Sequence, residues 1–393
     1  MSSSIFQPRS YAFLLSLSSC IILYGQACTN ESTVNNHISP LVPEYLKTVG
    51  HDIVLPSLES FQAEITNLQE QVQGASTSED LDNAQETWTT VMQKWQHIEM
   101  MQIGPIGSSL TVVGGMDQRD DIYSWPTTDG CIVFHHLVEE SWKEEDFFDN
   151  QQVYSYGLDA LEVLFFSDIS ECPQSDPLVS DGIWESIEAE IRTQKKIGFA
   201  QELIDQLNIQ TDTIISSWSP EGGDFAGMLS MQNKDSPYST SQEALNAIYD
   251  ALFYLEKMTK DKKLAQPLGI KDCTQDLCLD DLEGRLSERS LSHIIENITA
   301  FRLLFTGGEG IGLDDILTDL GHEDIGQKLL SDIDQTLLLS EQLEGSLEES
   351  LQDRKEVVLA FYYSLRNVTT TLKVNLAMIL SMQIPAEAAG DND

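Results

Sequence analysis

Positive charge is what this chain has least of. Against 64 Asp and Glu it carries 22 Lys and Arg and 7 His, a formal net charge of -42 at pH 7. A surface so negative repels nucleic acid and anionic lipid and attracts cations or basic partners, and it equally serves to solvate a protein in a salty habitat. Runs of alternating apolar and polar residues closed by hairpin turns are also missing, which leaves an all-α reading. No low-complexity tract or solenoid period interrupts the 393 residues, whose composition is globular at 41% hydrophobic. The zinc-peptidase pattern His-Glu-x-x-His is absent. The glycines from Thr306 to Gly312 lack the Lys and Ser/Thr of a phosphate loop and read as a turn.

What is present begins with an export signal. Arg9 closes a short polar region, and Tyr11 to Tyr24 is an apolar run of secretory length, too short to span a bilayer comfortably. Gly25-Gln26-Ala27-Cys28 resembles a bacterial lipoprotein signal with Cys28 as the lipidated residue; Leu17-Ser18-Ser19-Cys20 is the competing match, and plain secretion the simpler alternative. Four further cysteines suit an exported protein with two disulfides, Cys273 with Cys278 across a polar loop and Cys131 with Cys172.

From Pro43 the chain reads as helix almost throughout. Leu55, Leu58, Phe61, Ile65 and Leu68 keep helical spacing, and Thr77 with Asp80 forms a capping box for a helix carrying Trp88, Val91, Met92 and Trp95 inward. Trp88, Trp95 and Trp125 could line a cleft, but the first two, at helical spacing among apolar residues, read as core. The expected organisation is a signal at 1–28, a linker at 29–42, helical bundles at 43–175 and 176–384, and a disordered acidic tail at 385–393. The Pro- and Ser-rich stretch Cys172 to Gly182 is the expected hinge.

One stretch organises the functional reading, Tyr156 to Phe166. Tyr154, Leu158, Leu161 and Phe165 form an apolar stripe, and Ala160, Val163, Leu164 and Phe166 cover the other azimuths, so the helix should be buried all round. Asp159 and Glu162, its two ionisable groups, point to one side. Buried together they must bind a cation, pair with Arg or Lys, or hold a proton, because an isolated buried charge is too costly. His136 with Glu139 and His293 with Glu296 share the chelating spacing and read as surface or boundary structure.

Five landmarks in order resemble the imelysin family: Arg119 with Ile122-Tyr123-Ser124-Trp125-Pro126, Gly157 to Glu162, Gln266-Pro267-Leu268-Gly269, Glu283-Gly284-Arg285-Leu286-Ser287 through Ser290, and Phe301 to Gly307. The resemblance spans roughly Pro43 to Met382. It implies two four-helix-bundle-like domains and an exported, often lipid-anchored protein linked to peptidase activity or to periplasmic iron uptake. The family signature Gly-x-His-x-x-Glu here has Asp159 at the His position. An all-oxygen pair favours harder ions such as Ca²⁺, Mg²⁺, Mn²⁺ or Fe³⁺ over zinc.

Three arrangements then compete for Asp159 and Glu162: a cation site between the bundles, neutralisation by Arg119 or Arg285, and a proton shared between the two acids. Trp125, Glu283 and Ser287 are the supporting residues. The expected function is a periplasmic, outer-membrane or surface lipoprotein that binds a metal ion, iron or a harder divalent ion, or a metal-linked small ligand. The alternatives are a metallopeptidase with an altered site, and an interaction scaffold that binds a peptide or protein and keeps the site as a vestige. A membrane contact through the lipid and no nucleic acid complete the expectation.

Overall fold

A capping box starts the first long hairpin as the sequence pattern requires. Thr77 Oγ1 accepts from Asp80 N at 3.3 Å and Thr77 N donates to Asp80 Oδ2 at 2.9 Å, opening a helix at Ser78–Ile98. The computed structural model describes residues 38–385 and Ala388. The expected signal, Cys20, Cys28, most of the linker and nearly all of the acidic tail lie outside them.

We number the principal helices α1 (Val42–Lys47), α2 (Leu55–Gln73), α3 (Ser78–Ile98), α4 (Gly130–Glu139), α5 (Leu158–Phe166), α6 (Ala189–Trp218), α7 (Ser241–Leu252), α8 (Ser290–Thr306), α9 (Glu323–Ser340) and α10 (Lys355–Thr371). No strand occurs among the described residues, and the fold is all-α. A π-helical segment, Thr48–Val54, joins α1 to α2, and two others, Leu255–Ala265 and Leu372–Leu376, follow α7 and α10. Each helix buries the stripe its period predicts: Leu58, Phe61, Ile65, Leu68 and Val72 of α2 meet Trp88, Val91, Met92 and Trp95 of α3 in the core. Trp88 and Trp95 are fully buried there, as their spacing indicated.

Two groups of packed helices result. α2 packs on α3 and α6, with α5 against α3, α4 and α6; α8, α9, α10 and the stretch Leu255–Ala265 form the other group, and α8 lies on α3. The break expected at 175/176 is therefore not a break in packing, because α6 follows it and yet lies against α2. The described residues from Ile38 form one compact unit. Nor is the stretch Cys172 to Gly182 a free hinge. Cys172 is disulfide-bonded to Cys131, and Asp176 Oδ2 lies 3.0 Å from His135 Nε2. Cys273 and Cys278 form the second bridge, so both expected disulfides are present.

Candidate metal or ligand cleft

The site starts from a backbone choice at Gly157. Its φ of 86° is a left-handed value, and a Cβ there would fall 2.6 Å from the carbonyl oxygen of Ile122. That same oxygen accepts from Leu158 N at 2.9 Å, so α5 begins pressed onto the segment 119–126. Because the chain turns at Gly157, Tyr154 is not part of the α5 stripe, as had been expected, but lines a cleft beside it. Gly157→Ala should cost about 1–3 kcal/mol in urea unfolding, from the strained φ together with the clash. A change under about 0.5 kcal/mol would mean that this close approach does not hold α5 in place.

α5 is buried all round, as its composition requires, and it delivers Asp159 and Glu162 to the cleft floor at 4% and 8% exposure. Asp159 lies under Ser124, whose N donates to its Oδ1 at 3.2 Å and whose hydroxyl makes a short hydrogen bond to Oδ2. Glu162 is held the same way from the opposite wall: Ser287 N and Oγ donate to Oε1 at 3.0 and 2.7 Å. Burial raises the Asp159 pKa to about 7, against the pull of the Ser124 donors and the more distant Arg119 charge. Burial likewise raises that of Glu162, and the Ser287 donors offset part of the rise. No hydrogen bond links the two carboxylates to each other; each has its own serine.

Beneath them is a buried ionic network. Glu283, 1% exposed, accepts from Tyr123 Oη and Gln96 Nε2 at 3.1 and 3.0 Å on Oε1. Its Oε2 lies 3.0 Å from Lys263 Nζ and 3.2 Å from His293 Nδ1. Burial would raise the Glu283 pKa, but the charges of Lys263 and His293 prevail and hold it at about 2. Burial draws the Lys263 ammonium below its ordinary pKa, with Glu283 and Glu99 opposing. Lys263 also donates to Gln96 Oε1 and Asn297 Oδ1 at 2.6 and 2.9 Å. Arg119 grips Glu99 with Nε and Nη2 at 3.0 and 3.1 Å, and its Nη2 reaches the Trp125 carbonyl at 2.9 Å.

Above these layers opens a cleft of about 590 Å³. Six carboxylates line it (Asp129, Asp159, Glu162, Glu171, Asp280 and Asp281) against two bases, Lys262 and Arg285, with Trp125 on the wall. Burial raises the pKa of Glu171 as well.

The imelysin family model, a peptidase M75 description, matches residues 54–370. The chain belongs to the imelysin family. An imelysin-like protein from Psychrobacter arcticum 273-4 has a TM-score of 0.67 at 19% identity, covering 88% of this chain and 98% of its own. A protein from Parabacteroides distasonis ATCC 8503, assigned as an iron-regulated protein A precursor, gives 0.64 at 14% identity over 86% and 94%. No curated protein matches.

In this imelysin-family chain the landmark residues converge, but several do other work than their sequence positions suggested. Neither arginine neutralises the α5 pair: Arg119 is committed to Glu99, and Arg285 is exposed at the rim, 3.4 Å from Asp280. His293 is not at a surface or boundary. It is 1% exposed against Glu283, while Glu296 lies 3.7 Å from His97 instead. His136 is also buried, with Nδ1 2.8 Å from Ser141 Oγ and its ring on Phe147. Gln96, Glu99, Lys263, Asn297 and Tyr254, whose hydroxyl donates a short hydrogen bond to Glu99, belong to no sequence motif. Lys263 sits in Lys257-Met258-Thr259-Lys260-Asp261-Lys262-Lys263, which reads as a solvated charge run, and only the π-helical winding turns it inward. The one signal for Gln96 and Glu99 was their spacing of three at the end of the apolar face of α3.

Whether these residues suit a metal depends on the donor set. Among the described residues, the group of three or more ligating side chains within 4.8 Å of one another is Cys131, Cys172 and Asp176. Both of its sulfurs are spent in a disulfide, so it is no thiolate site. Asp159 and Glu162 supply two carboxylates, with no third Asp, Glu, His or Cys grouped with them among the described residues. That is too few for a three-ligand zinc centre, and it fits a hard cation that keeps water or a chelator as the rest of its shell.

No helix of the described chain is long and apolar enough to cross a membrane.

Proposed function

We infer that this imelysin-family protein is an exported binding protein whose acidic cleft takes a hydrated or chelated hard cation on Asp159 and Glu162, in an iron-related role. The observation that carries the reading is the pair of buried carboxylates, each fixed by a serine N–H and hydroxyl, on a cleft whose six acids, the pair included, are set against two bases. A serine grip on one oxygen edge orients each carboxylate without neutralising it. A cation supplies the missing countercharge, and its remaining ligands come from water or from the molecule that carries it. The naming of the Parabacteroides protein as an iron-regulated protein A precursor supports both the iron-related role and export. Tethering through Cys28 belongs to the same proposal. Asp159 at the signature His position, with no third ligand nearby, favours binding over metal-dependent peptide cleavage.

Calorimetric titration of the chelator-treated protein with Mn²⁺, Ca²⁺, Zn²⁺ and Fe³⁺ citrate tests this. One stoichiometric site that survives about 150 mM salt is expected, lost in both Asp159→Asn and Glu162→Gln. Binding that disappears at that salt, or that both variants retain, sinks the reading.

A further inference from the structure

A second cleft, of about 650 Å³, shares no lining residue with the acidic one. The stretch Leu255–Ala265 forms one wall, and the end of α10 with the segment after it forms the other. Its charge is inverted: Lys260, Arg366 and Lys373 line it with a single carboxylate, Glu256. In a chain with 64 acidic and 22 basic residues, that inversion creates a local positive field against a negative background.

Arg366 carries the argument. Its guanidinium makes no hydrogen bond or ion pair with any described residue, although acids outnumber bases about threefold in the chain. Its carbonyl is anchored instead, accepting from the hydroxyls of Thr369 and Thr370 at 3.1 and 2.8 Å. The two lysines are held in place by neighbours, Lys260 Nζ at 2.7 Å from Asp261 and Lys373 Nζ at 3.5 Å from Glu256. The outer part of the cleft is apolar, with Val374 and Met378 at 58% and 73% exposure.

We propose that this cleft binds an organic oxyanion on an apolar body, its carboxylate or phosphate on Arg366 and its body against Val374 and Met378. A guanidinium fork matches two oxygens of either head group, and a half-buried position strengthens the pair relative to open solvent. The lysines add field, and the exposed methionine adapts to the shape of the apolar part. This site is independent of the cation reading at Asp159 and Glu162.

The test is calorimetric titration of the full chain with octanoate, octyl phosphate and octanol as probes, at about 150 mM salt. One saturable site for an oxyanion is expected, and whichever of octanoate and octyl phosphate binds more tightly names the head group. Octanol should not saturate it. Arg366→Gln should weaken binding at least about tenfold, Arg366→Lys should keep part of it, and neither should change circular dichroism. Three results would overturn the proposal: no saturable oxyanion binding, octanol binding as well as octanoate, or affinity unmoved in Arg366→Gln. Binding that appears only after deletion of residues 386–393 would also overturn it, by assigning the cleft to the chain's own acidic tail.

Discussion

Lys263→Met should destabilise the protein by about 3–5 kcal/mol, because it leaves Glu283 charged and buried without its principal partner. Lys263 and Glu283 are each 1% exposed and 3.0 Å apart, so solvent cannot take over the lost interaction. The double variant Lys263→Met with Glu283→Gln should recover much of the loss, since replacing both members of a buried pair is far cheaper than removing one. Urea unfolding of the two single variants and the double gives the coupling directly. If the single change costs less than about 1 kcal/mol, or the double variant recovers nothing, the pair is not a stabilising element of the buried network. The same network sets an acid limit. A carboxyl whose folded pKa is depressed stabilises the fold above its ordinary value and loses that contribution as pH falls. For Glu283 the window runs from 4.5 down to about 2.

Asp159→Asn should act in the opposite direction on the metal-free protein. With a folded pKa of about 7 against the ordinary 3.8, the folded state holds a proton that the unfolded chain has released. Stability attributable to Asp159 is therefore full below pH 3.8, falls as pH rises, and levels off above 7. A neutral amide removes that slope, so the variant should exceed the parent by up to about 4 kcal/mol at pH 8 and match it near pH 4. Chemical denaturation at the two pH values is the check, and a variant that is less stable at pH 8 would place Asp159 among structural carboxylates. In the parent protein a cation must displace that proton, so cation affinity should rise with pH and flatten above about 7. The stability change and the lost cation site together separate a functional carboxylate, which weakens the fold, from one that only holds it.

Helical period was legible because it depends on neighbours three and four residues away. The stripe on α2, the capping box at Thr77 and Asp80, the burial of α5 on every side and both disulfides follow from local pattern and simple pairing. The pair Asp159 and Glu162 was legible for the same reason, as two charges on an otherwise apolar helix. Which groups answer those charges was not. Ser124 and Ser287 lie 35 and 125 residues away from the carboxylates they grip, and a serine in a loop carries no periodic signal. Arginine looked the natural partner by charge, yet Arg119 was already claimed by Glu99, a residue hidden at the end of α3. The π-helical winding of Leu255–Ala265 likewise turned Lys263 from an apparent surface charge into the buried partner of Glu283. The sequence by itself determined the all-α class, the imelysin family and the two carboxylates; tertiary structure decided their partners, the sign of each cleft and the packing of α6 across the expected boundary. The reason is physical: amphipathic period is a property of a few adjacent turns, whereas the fate of a charge depends on which distant donor reaches it once water is gone.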